Sequence, residues 1–465
     1  MFKKIELGQK LFDFSIGGEY VWDYLRSIVF NNIAKEIGLL DRGISRFRDI
    51  HGLTDKAYLN ILRYSLTENP FFIGGEKDLL VFGHPRRRLL EDGRYWDVYT
   101  DTFIEDLRME YLTLEGDYQG GHLRPAKTDC ISSLDFMQLK KFIQRPWKKT
   151  MVSKKDSMKI SSLEEEVRQG YGVDVELKPL IEDLVKQIFI YRDNLGKILD
   201  KFNPKAVIQV VHYNLINKTL NAVCKRRGIP TIELAHGMIT GKKIAYNYPE
   251  IDRAVTTFPD YIFVWGDYSR DTTSFPIPEE NVIPTGFPFF EKEYSRYSSK
   301  KKNNIGEKKI IIISQWDLLS KMADFACRLA EMLPKDFRIT YKLHPRSYSR
   351  WRRQVPFLDE NEKINVIEGD NPELYSLFND SCIQVGVYST AIYEGLAFGL
   401  KTYIIDLPGH ENLSMLLEKN LACKVGSPEE LIKNLDWEGE KTGKDYFFKK
   451  NARENIIKGI KSSIN

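Results

Sequence analysis

The stretch Lys309-Ile310-Ile311-Ile312-Ile313-Ser314 decides the fold class of this chain. Four consecutive isoleucines predict a short strand that is buried on both of its faces. A helical pattern follows over residues 321–333, and a second apolar strand is expected at 338–343. Further strands are predicted at residues 365–367, 381–387 and 402–406. Strands that alternate with helices in this way favour a parallel sheet covered by helices on both faces.

The first half of the chain repeats this alternation after a different beginning. Residues 1–70 are expected to be mainly helical, and residues 95–100 to form a half-exposed strand after a turn at 91–93. The other strands of this half are predicted at residues 78–83, 110–114, 206–211, 230–235, 260–265 and 281–284. Helices are predicted at 175–202 and 217–227. The predicted fold class is α/β: two doubly wound, Rossmann-like domains facing a cleft, with helical and hairpin additions at the N-terminus.

Residues 291–308 separate the two halves. They are rich in Lys, Ser, Tyr and Asn and have no apolar period, which is typical of a linker. The prediction is therefore an N-terminal domain at 1–290 and a second domain at 309–440. The C-terminal segment 441–465 contains a basic amphipathic pattern at 446–460, which predicts a helix.

The composition is that of an ordinary globular protein. Of the 465 residues, 42% are hydrophobic and 29% are charged, and the net charge of +4 gives no basis for nucleic-acid binding. The five cysteines form no CxxC pair, so neither a zinc site nor a disulfide framework is expected. The sequence contains no run of ~18 apolar residues and no secretory signal. The expected location is the cytoplasm, with any membrane contact peripheral and on the inner face.

The predicted strand at 338–343 ends in a His-Pro-Arg sequence. Ligands of doubly wound sheets bind at the carboxyl ends of strands, so His344 is expected where a ligand would bind. Pro345 ends the strand and fixes the turn, while Lys342 and Arg346 add positive charge. The histidine can donate to a phosphate or a carboxylate, or it can merely cap the turn.

A second strand end carries groups that suit an anion. Ser389 and Thr390 stand where a helix should begin, and N-capping alone is the alternative to a role in phosphate binding. Glu394 lies one turn into that helix. Acidic residues that suit a ribose lie between the two strand ends, at Glu368 and Glu373. Together these groups describe a nucleotide pocket, although the sequence has neither a Walker loop nor a GxGxxG motif.

Candidate catalytic residues lie in the first half of the chain. The Gly-rich segment 114–122 contains Glu115 and Asp117, either of which can take a proton from a substrate hydroxyl or act as a nucleophile. His236, at the end of another predicted strand, ranks next, and Asp101 ranks behind it. No DxD pair stands in a loop suited to a metal site, so neither a metal nor another cofactor is expected.

Basic residues follow the predicted strand at 78–83. His84-Pro85-Arg86 opens this cluster. His84 and Arg86 suit a substrate that carries a phosphate or a carboxylate. A solvated run of charge and contact with anionic lipid are the alternatives.

A strand ending in Lys-Leu-His-Pro, then an acidic residue, then Ser-Thr at a helix start resembles the donor site of bacterial GT-B glycosyltransferases. The similar enzymes include CMP-sialic acid sialyltransferases, the Kdo transferases of capsule assembly and CDP-polyol phosphotransferases. The resemblance covers roughly residues 309–410. It implies that the phosphate is held by His344, Ser389 and Thr390. It also implies that the nucleoside is held by Glu368 or Glu373.

His-Gly at residues 236–237 is similar to capsule and teichoic-type transferases, which implies that Gly237 contacts the acceptor together with His84 and Arg86. The resemblance to GT-B enzymes also implies that the C-terminal helix within 441–465 packs back on the first domain, residues 1–290. The two resemblances imply a glycosyltransferase that moves a CMP-activated acidic sugar, such as Kdo or sialic acid. The implied acceptor is a surface polysaccharide, lipopolysaccharide or capsule. The expected partners are therefore a nucleotide-sugar donor and a glycan or glycolipid acceptor.

Other functions fit the same sequence. A UDP-, GDP- or dTDP-sugar can replace the CMP-sugar as donor. A CDP-polyol phosphotransferase or a nucleotide-sugar epimerase would use the same architecture. The alternative from another class is a non-catalytic scaffold in a glycan assembly complex.

Overall fold

The chain divides into two units, each built around its own parallel sheet. The computed structural model describes residues 2–8, 10–38, 55–145, 152–299, 307–369 and 371–464. Unit 1 comprises Met1–Val264, Thr273–Pro284 and Arg453–Asn465. Unit 2 comprises Trp265–Thr272 and Thr285–Ala452.

The strands of unit 1 are short and mostly buried. In chain order they are β1 (Ser15–Ile16), β2 (Glu19–Tyr20), β3 (Leu79–Phe82), β4 (Arg88–Leu89), β5 (Tyr95–Trp96), β6 (Tyr111–Glu115), β7 (Ile131–Ser133), β8 (Ala206–Val210), β9 (Thr231–Leu234), β10 (Tyr261–Val264) and β11 (Val282–Pro284). The helices of this part of the chain are α1 (Phe2–Gly8), α2 (Val21–Glu36), α3 (Asp55–Thr67), α4 (Asp135–Gln144), α5 (Lys154–Tyr171), α6 (Leu177–Phe202) and α7 (Leu215–Arg227).

Seven of the strands described for unit 1 form one parallel sheet in the order β11-β10-β9-β8-β3-β6-β7. The chain starts at β3, runs through β6 and β7 to one edge, and then returns to β8 and runs to the other edge. The strand order therefore reverses between β3 and β8. Open parallel sheets bind ligands at the carboxyl ends of the strands beside such a reversal.

Alternate side chains of β3 enter two different hydrophobic cores. Leu80 and Phe82 pack with residues of α6 and α7 on one face of the sheet. Leu79 and Val81 enter the core on the other face, where the C-terminal segment contributes Ile456. Burial of each such side chain contributes about 1.5–3 kcal/mol, so both faces stabilise the central strand.

Unit 2 and the C-terminus contain the remaining elements. The helices are α8 (Asp267–Thr272), α9 (Pro288–Ser298), α10 (Leu319–Met332), α11 (Trp351–Gln354), α12 (Leu374–Asp380), α13 (Thr390–Ala397), α14 (Ser414–Glu418), α15 (Pro428–Lys433), α16 (Lys444–Phe447) and α17 (Ala452–Ile464). The strands are β12 (Lys308–Ile313), β13 (Phe337–Lys342), β14 (Ile364–Ile367), β15 (Ile383–Gly386), β16 (Lys401–Ile405) and β17 (Cys423–Val425).

The isoleucine-rich strand β12 lies at the centre of the unit 2 sheet. The six strands described for this sheet are parallel and have the order β14-β13-β12-β15-β16-β17. Ile310 and Ile312 pair with β13 on one side and β15 on the other, and both are fully buried. The strand order reverses between β12 and β15, which makes their carboxyl ends the expected ligand site of this unit.

The predicted fold class is confirmed in its essentials. Each unit contains a doubly wound parallel sheet with helices packed on it. The helical beginning is present as α1, α2 and α3, and the hairpin is present as the β4–β5 pair. Residues 39–54 of the predicted helical beginning lie outside the described residues.

Two local predictions differ from the structure: one concerns a strand in the first half of the chain, and the other concerns the linker. The strand expected at 95–100 ends at Trp96, because the buried Asp97 side chain then accepts the backbone N–H of Tyr99 at 2.9 Å and turns the chain. The linker expected at 291–308 begins inside helix α9, whose Phe290 stacks on Phe448 with ring centres 3.8 Å apart. Residues 300–306 lie outside the described residues.

The segment 446–460, expected as one helix, is helical on both sides of an interruption. The structure has two helices, α16 and α17, with a break after Phe447. Asn451 lies in the left-handed region with a φ of 58°, which interrupts any helix there. The second helix contributes Ile456 and Ile460 to the core of unit 1.

Candidate functional site

The carboxyl edge of the unit 2 sheet brings together the loops that follow neighbouring strands. The central strand β12 lies between β13, which leads to His344, and β15, which leads to Ser389. Strands in a sheet are about 4.8 Å apart, so the ends of β13 and β15 are separated by roughly 10 Å. That span is suited to one phosphate-bearing ligand.

His344 forms a fixed turn directly after β13. Its Nδ1 accepts the backbone N–H of Arg346 at 3.2 Å and so caps the short 3-10 helix Pro345–Ser347. Because Nδ1 accepts, the proton of the neutral imidazole lies on Nε2, which becomes a hydrogen-bond donor. The side chain is half-buried. Turn capping and anion binding are therefore compatible roles of one ring.

Helix α13 begins at the end of β15 and packs very close to it. Ser389 is the N-cap, and its Oγ accepts the backbone N–H of Ala391 at 3.2 Å. Gly395 permits the close approach, because a Cβ there would lie 2.0 Å from Oε1 of Gln384. Gln384 in turn donates to a carbonyl of the helix at 2.8 Å. The helix N-terminus, which favours anions, is thus anchored at the carboxyl edge, where Thr390 is its first residue.

Trp316, in the loop after β12, contacts two arginines from the loop after β13, and of these three residues only Arg346 belongs to a sequence motif. The guanidinium groups of Arg346 and Arg350 each lie 5.4 Å from the centre of the Trp316 ring. Arg350 also donates to the Trp316 carbonyl at 2.7 Å. Gln315 donates to the Tyr388 carbonyl, which ties this loop to the loop after β15. The signal that could have identified Gln315 and Trp316 is their place immediately after β12, the strand with the longest isoleucine run.

Two predicted donor-site residues have structural partners beside the sheet. The Lys342 amine donates to the Gly369 carbonyl, so it joins the ends of β13 and β14. The Glu368 carboxylate accepts hydrogen bonds from Trp351 Nε1, at 2.8 Å, and from Arg352. Each of these side chains thus contacts the segment that follows the neighbouring strand.

The other two acidic candidates lie at or within helices. Glu373 precedes α12 and accepts a hydrogen bond from the Tyr297 hydroxyl at 2.8 Å. Glu394 is half-buried and lies in α13, the helix that Ser389 caps. Of the acidic candidates, Glu394 is thus the one that shares a helix with the anion-suited N-terminus.

The carboxyl edge of the unit 1 sheet contains a second His-Pro-Arg turn of similar form. His84 follows β3, and its Nδ1 lies 3.2 Å from the backbone nitrogen of Arg86 and 3.3 Å from the carbonyl of the same residue. Its own backbone N–H donates to Asp97 Oδ2 at 3.0 Å. Burial lowers the pKa of His84, against the opposing charge of Asp97. The turn therefore places a neutral imidazole and the exposed Arg86 beside the strand reversal.

His236 follows β9 and contacts two tyrosines. The Tyr213 hydroxyl lies 3.0 Å from Nε2 of His236, and the Tyr99 hydroxyl donates to the His236 carbonyl at 3.1 Å. Tyr99 also packs against His84, with ring centres 5.6 Å apart. Burial lowers the pKa of His236 to about 4 despite the opposing charge of Glu233. The imidazole is therefore neutral at pH 7, and the adjacent Gly237 is buried.

A buried pair of side chains lies next to His236. His212 Nδ1 donates to Glu233 Oε2 at 2.6 Å, and the His212 backbone N–H donates to Oε1 at 3.2 Å. The Tyr246 hydroxyl donates to the same carboxylate at 2.8 Å. Burial alone would raise the pKa of Glu233, but His212 and these hydrogen bonds lower it. Glu233 is thus a carboxylate held charged inside the unit.

The backbone before His212 is strained. Val211 has a φ of 73°, which is unusual for a β-branched residue. A conformation of this kind costs about 1–3 kcal/mol and persists where the surroundings determine it, often at functional sites. The strained residue begins the loop of His212 and Tyr213, and neither of these belongs to a sequence motif.

Glu115, the first-ranked candidate with Asp117, is enclosed by cationic groups. Its carboxylate accepts from Arg87 Nε at 3.1 Å, from His122 Nδ1 at 2.9 Å and from Arg124 at 2.5 Å. Burial alone would raise the pKa of Glu115, but these partners lower it. Glu115 therefore joins loops of unit 1 and is a poor proton acceptor.

The remaining carboxylates have different surroundings. Asp117 closes its own loop by accepting the Gly120 N–H at 2.9 Å. Burial and the charge of Asp97 raise the pKa of Asp101 to about 6. Asp101 Oδ2 also accepts the backbone N–H of Asp97 at 2.9 Å. Asp101 is thus connected to the His84 turn through Asp97.

Two further properties of the described residues concern metal binding and membrane insertion. Among the described residues, no group of three or more His, Cys, Asp or Glu side chains could hold a metal ion. That the expected sugar transfer needs no metal ion stays a prediction. In the same part of the chain, no helix combines the length and apolarity needed to cross a membrane.

Comparison with known proteins gives structural likeness only. No family model and no curated protein matches the sequence. The structure is similar to UDP-GlcNAc 2-epimerase from Neisseria meningitidis, with 13% identity, a TM-score of 0.46 and coverage of 83% of this chain and 99% of that chain. It is also similar to the UDP-GlcNAc 2-epimerase of Methanocaldococcus jannaschii, with 12% identity, a TM-score of 0.47 and coverage of 83% of this chain and 99% of that chain. A third similar structure is MurG of Acinetobacter baumannii, with 10% identity, a TM-score of 0.46 and coverage of 83% of this chain and 99% of that chain. A likeness of this extent carries neither an activity nor a substrate to the present chain.

Proposed function

We propose that this protein is a nucleotide-sugar-dependent glycosyltransferase in which unit 2 binds the donor and unit 1 binds the acceptor. One observation in unit 2 carries the proposal. At the strand reversal, the Nε2–H of His344 and the N-terminus of α13 with its Ser389 cap lie on the strand ends that flank β12. Both groups favour an anion, and a nucleotide-sugar presents its phosphate as one.

Neighbouring side chains support a nucleotide over a free phosphate. Trp316, in the loop after β12, is half-buried and has the guanidinium groups of Arg346 and Arg350 beside its ring, so an apolar surface and positive charge lie together at this edge of the sheet. In this proposal Arg346 and Thr390 join His344 at the phosphate. Glu394 accepts from the ribose hydroxyls, because it lies in the helix whose N-terminus binds the phosphate.

The proposal covers several donors. The phosphate contacts are common to CMP-, UDP-, GDP- and dTDP-sugars. The narrower choice of a CMP-activated acidic sugar rests on the sequence resemblance alone. The proposed donor is therefore a nucleotide-sugar whose base is to be found by experiment.

In unit 1 we propose His236 as the group that finally receives the acceptor's proton. It is neutral at pH 7 and lies at the carboxyl edge, close to the strand reversal. Glu115 is less suited, since Arg87, His122 and Arg124 enclose its carboxylate and keep it engaged within the protein. Asp117 accepts a hydrogen bond within its own loop.

The proposed acceptor is a glycan or glycolipid that carries an anionic group. His84 and Arg86 repeat the turn of His344 and Arg346, in which an imidazole and a guanidinium follow a strand. In unit 1 these groups would hold a phosphate or carboxylate of the acceptor. Gly237 follows His236 at the same edge of the sheet.

A thermal-shift screen with CMP, CDP, UDP, GDP and dTDP tests the donor site. A nucleotide at one hundred times its Kd stabilises the folded protein by about 2.7 kcal/mol. Ser389→Ala should weaken this stabilisation. Ser427→Ala is the matched control, because Ser427 caps α15 after the edge strand β17 of the same sheet. Absence of stabilisation by every nucleotide would sink the proposal.

Product analysis separates the proposal from its rivals. Incubation of the matching nucleotide-sugar with candidate acceptors should release the nucleotide and lengthen the acceptor. An isomerised nucleotide-sugar would indicate an epimerase. A bound nucleotide-sugar that never reacts would indicate a scaffold.

A further inference from the structure

We infer that Tyr213 is a further catalytic residue of the proposed transfer: its hydroxyl passes the acceptor's proton to Nε2 of His236. The inference rests on the proposed function. It assigns a role to a residue that lies outside every sequence motif, and it depends on which atoms of His236 a substrate can reach.

Neither ring nitrogen of His236 is open to an acceptor hydroxyl. Nε2 is occupied by the Tyr213 hydroxyl, 3.0 Å away. Nδ1 is buried and makes no hydrogen bond with any residue that the structure describes. His236 as a whole is half-buried, and so is Tyr213. Its hydroxyl is therefore the polar group through which a proton from the acceptor can reach the imidazole.

The residues on both sides of Tyr213 hold it in place. His212 before it is bound to Glu233 through its ring and through its backbone N–H. Asn214 after it caps α7 by accepting a backbone N–H of the helix at 2.8 Å. The strained Val211 fixes the start of the loop. A hydroxyl held in this way is already oriented for proton transfer.

Atoms and charges are conserved in the step. The acceptor hydroxyl gives its proton to the Tyr213 oxygen while the Tyr213 proton passes to His236 Nε2. The acceptor oxygen forms a bond to the anomeric carbon of the sugar. The bond between that carbon and the phosphate oxygen breaks, and the nucleotide leaves with the electron pair.

The buried carboxylate stabilises the product of the proton transfer. His236 becomes an imidazolium when it accepts the proton. The charge of Glu233 favours that form of His236, and no proton needs to move to Glu233. Glu233 thus acts through His236 and is a positioning and electrostatic partner.

Tyr99 offers a matched control. It is also half-buried, and its hydroxyl also contacts His236, but it donates to the backbone carbonyl at 3.1 Å. Tyrosine-to-phenylalanine at either position removes one hydroxyl and one hydrogen bond to the same histidine. A large difference between the two variants therefore reports on proton transfer.

Steady-state kinetics of the wild type, Tyr213→Phe and Tyr99→Phe test the inference. We expect Tyr213→Phe to lower kcat about a hundredfold or more, with an unchanged KM for the donor. Tyr99→Phe should lower kcat far less than Tyr213→Phe does. Incorporation of 3-fluorotyrosine at position 213 should move the basic limb of the pH profile to lower pH, since its phenol is more acidic.

The outcomes separate the relay from the proposed function. Equal kcat values for the wild type and Tyr213→Phe overturn the relay and leave glycosyl transfer standing. A wild type that binds a nucleotide-sugar but transfers to no acceptor overturns both. If Tyr213→Phe does not fold, the 3-fluorotyrosine protein decides, and an unmoved basic limb overturns the relay.

Discussion

Nδ1 of His212 lies 2.6 Å from Oε2 of Glu233, and both side chains are buried in unit 1. This contact joins the end of β8 to the middle of β9. It also fixes the residue that precedes Tyr213. The stability of unit 1 and the geometry at His236 therefore depend on the same pair.

Glu233→Gln should lower the free energy of unfolding by about 3 kcal/mol, because it removes one partner of a buried pair. Urea denaturation at pH 7 measures the loss. The control is Glu110→Gln, whose ion pair with Lys77 is mostly exposed on the glutamate side, at 75%. That change should cost less than about 1 kcal/mol. Equal losses in the two variants would contradict this account.

The activity should tolerate acid. Burial lowers the pKa of His236 to about 4, and the neutral imidazole is the form that accepts a proton. As pH falls from about 7 to about 5, kcat/KM should stay nearly constant, and it should decline only near the lowered pKa. A pH profile of kcat/KM checks this. An acid limb at the ordinary histidine value of 6.5 would speak against His236 as the base.

His122 should make stability depend on alkaline pH. Burial alone would lower its pKa, but hydrogen bonds to Asp135 and Glu115 raise it to about 9. A raised pKa stabilises the folded state fully below the unfolded value of 6.5, and this contribution is lost as pH rises through about 9. Its size is of order 3 kcal/mol.

Comparison of the wild type with His122→Asn isolates this effect. The difference in unfolding free energy between the two proteins should shrink from pH 6 to pH 10 by about the amount given above. Lys218, whose pKa burial lowers to about 7, titrates in the same window but is present in both proteins and cancels. A difference that stays constant across the window would show that His122 is not held charged.

Gly395→Ala should destabilise unit 2 by about 1–3 kcal/mol, because its Cβ would overlap the Gln384 amide under helix α13. It should also weaken nucleotide binding, since the N-terminus of the same helix would move. Gly443→Ala is the control, because no heavy atom lies within 4 Å of a Cβ at that position. Denaturation and nucleotide titration of both variants measure the effects, and similar results for the two would refute the role of Gly395.

The sequence sufficed for those parts of the fold that depend on local pattern. The isoleucines of β12 and the leucines of β3 form continuous apolar runs, and runs of this kind predict buried parallel strands. Strand order depends on contacts between distant segments, so the position of β12 at the centre of its sheet came only from the structure. The break near Asn451 was missed because the apolar spacing on both sides of it continues.

The site in unit 1 was harder to predict, since its groups come from separate segments. Glu115 stands in a Gly-rich segment, but its partner Arg87 lies 28 residues away, so its enclosure was not visible in the motif. Glu233 has the pattern of a solvated residue in an apolar strand, yet it is fully buried. A charged residue inside a strand of a parallel sheet is unusual, and that is the signal that could have pointed to it.

In unit 2 the sequence identified the turn and the cap but not their neighbours. His344 and Ser389 follow predicted strands, and both have the local geometry expected of them. Trp316 and Arg350 belong to no motif, and their contact depends on the pairing of β12 with β13. Local chemistry is therefore visible in the sequence, while the composition of the site requires the sheet order.

Isothermal titration of nucleotides into the wild type and His344→Ala tests the central claim most directly. The account predicts that at least one nucleotide binds the wild type, and that loss of the Nε2–H donor weakens its binding by about tenfold, or about 1.4 kcal/mol. Wild-type protein that binds none of the five nucleotides, or His344→Ala protein that binds as tightly as the wild type, would contradict it.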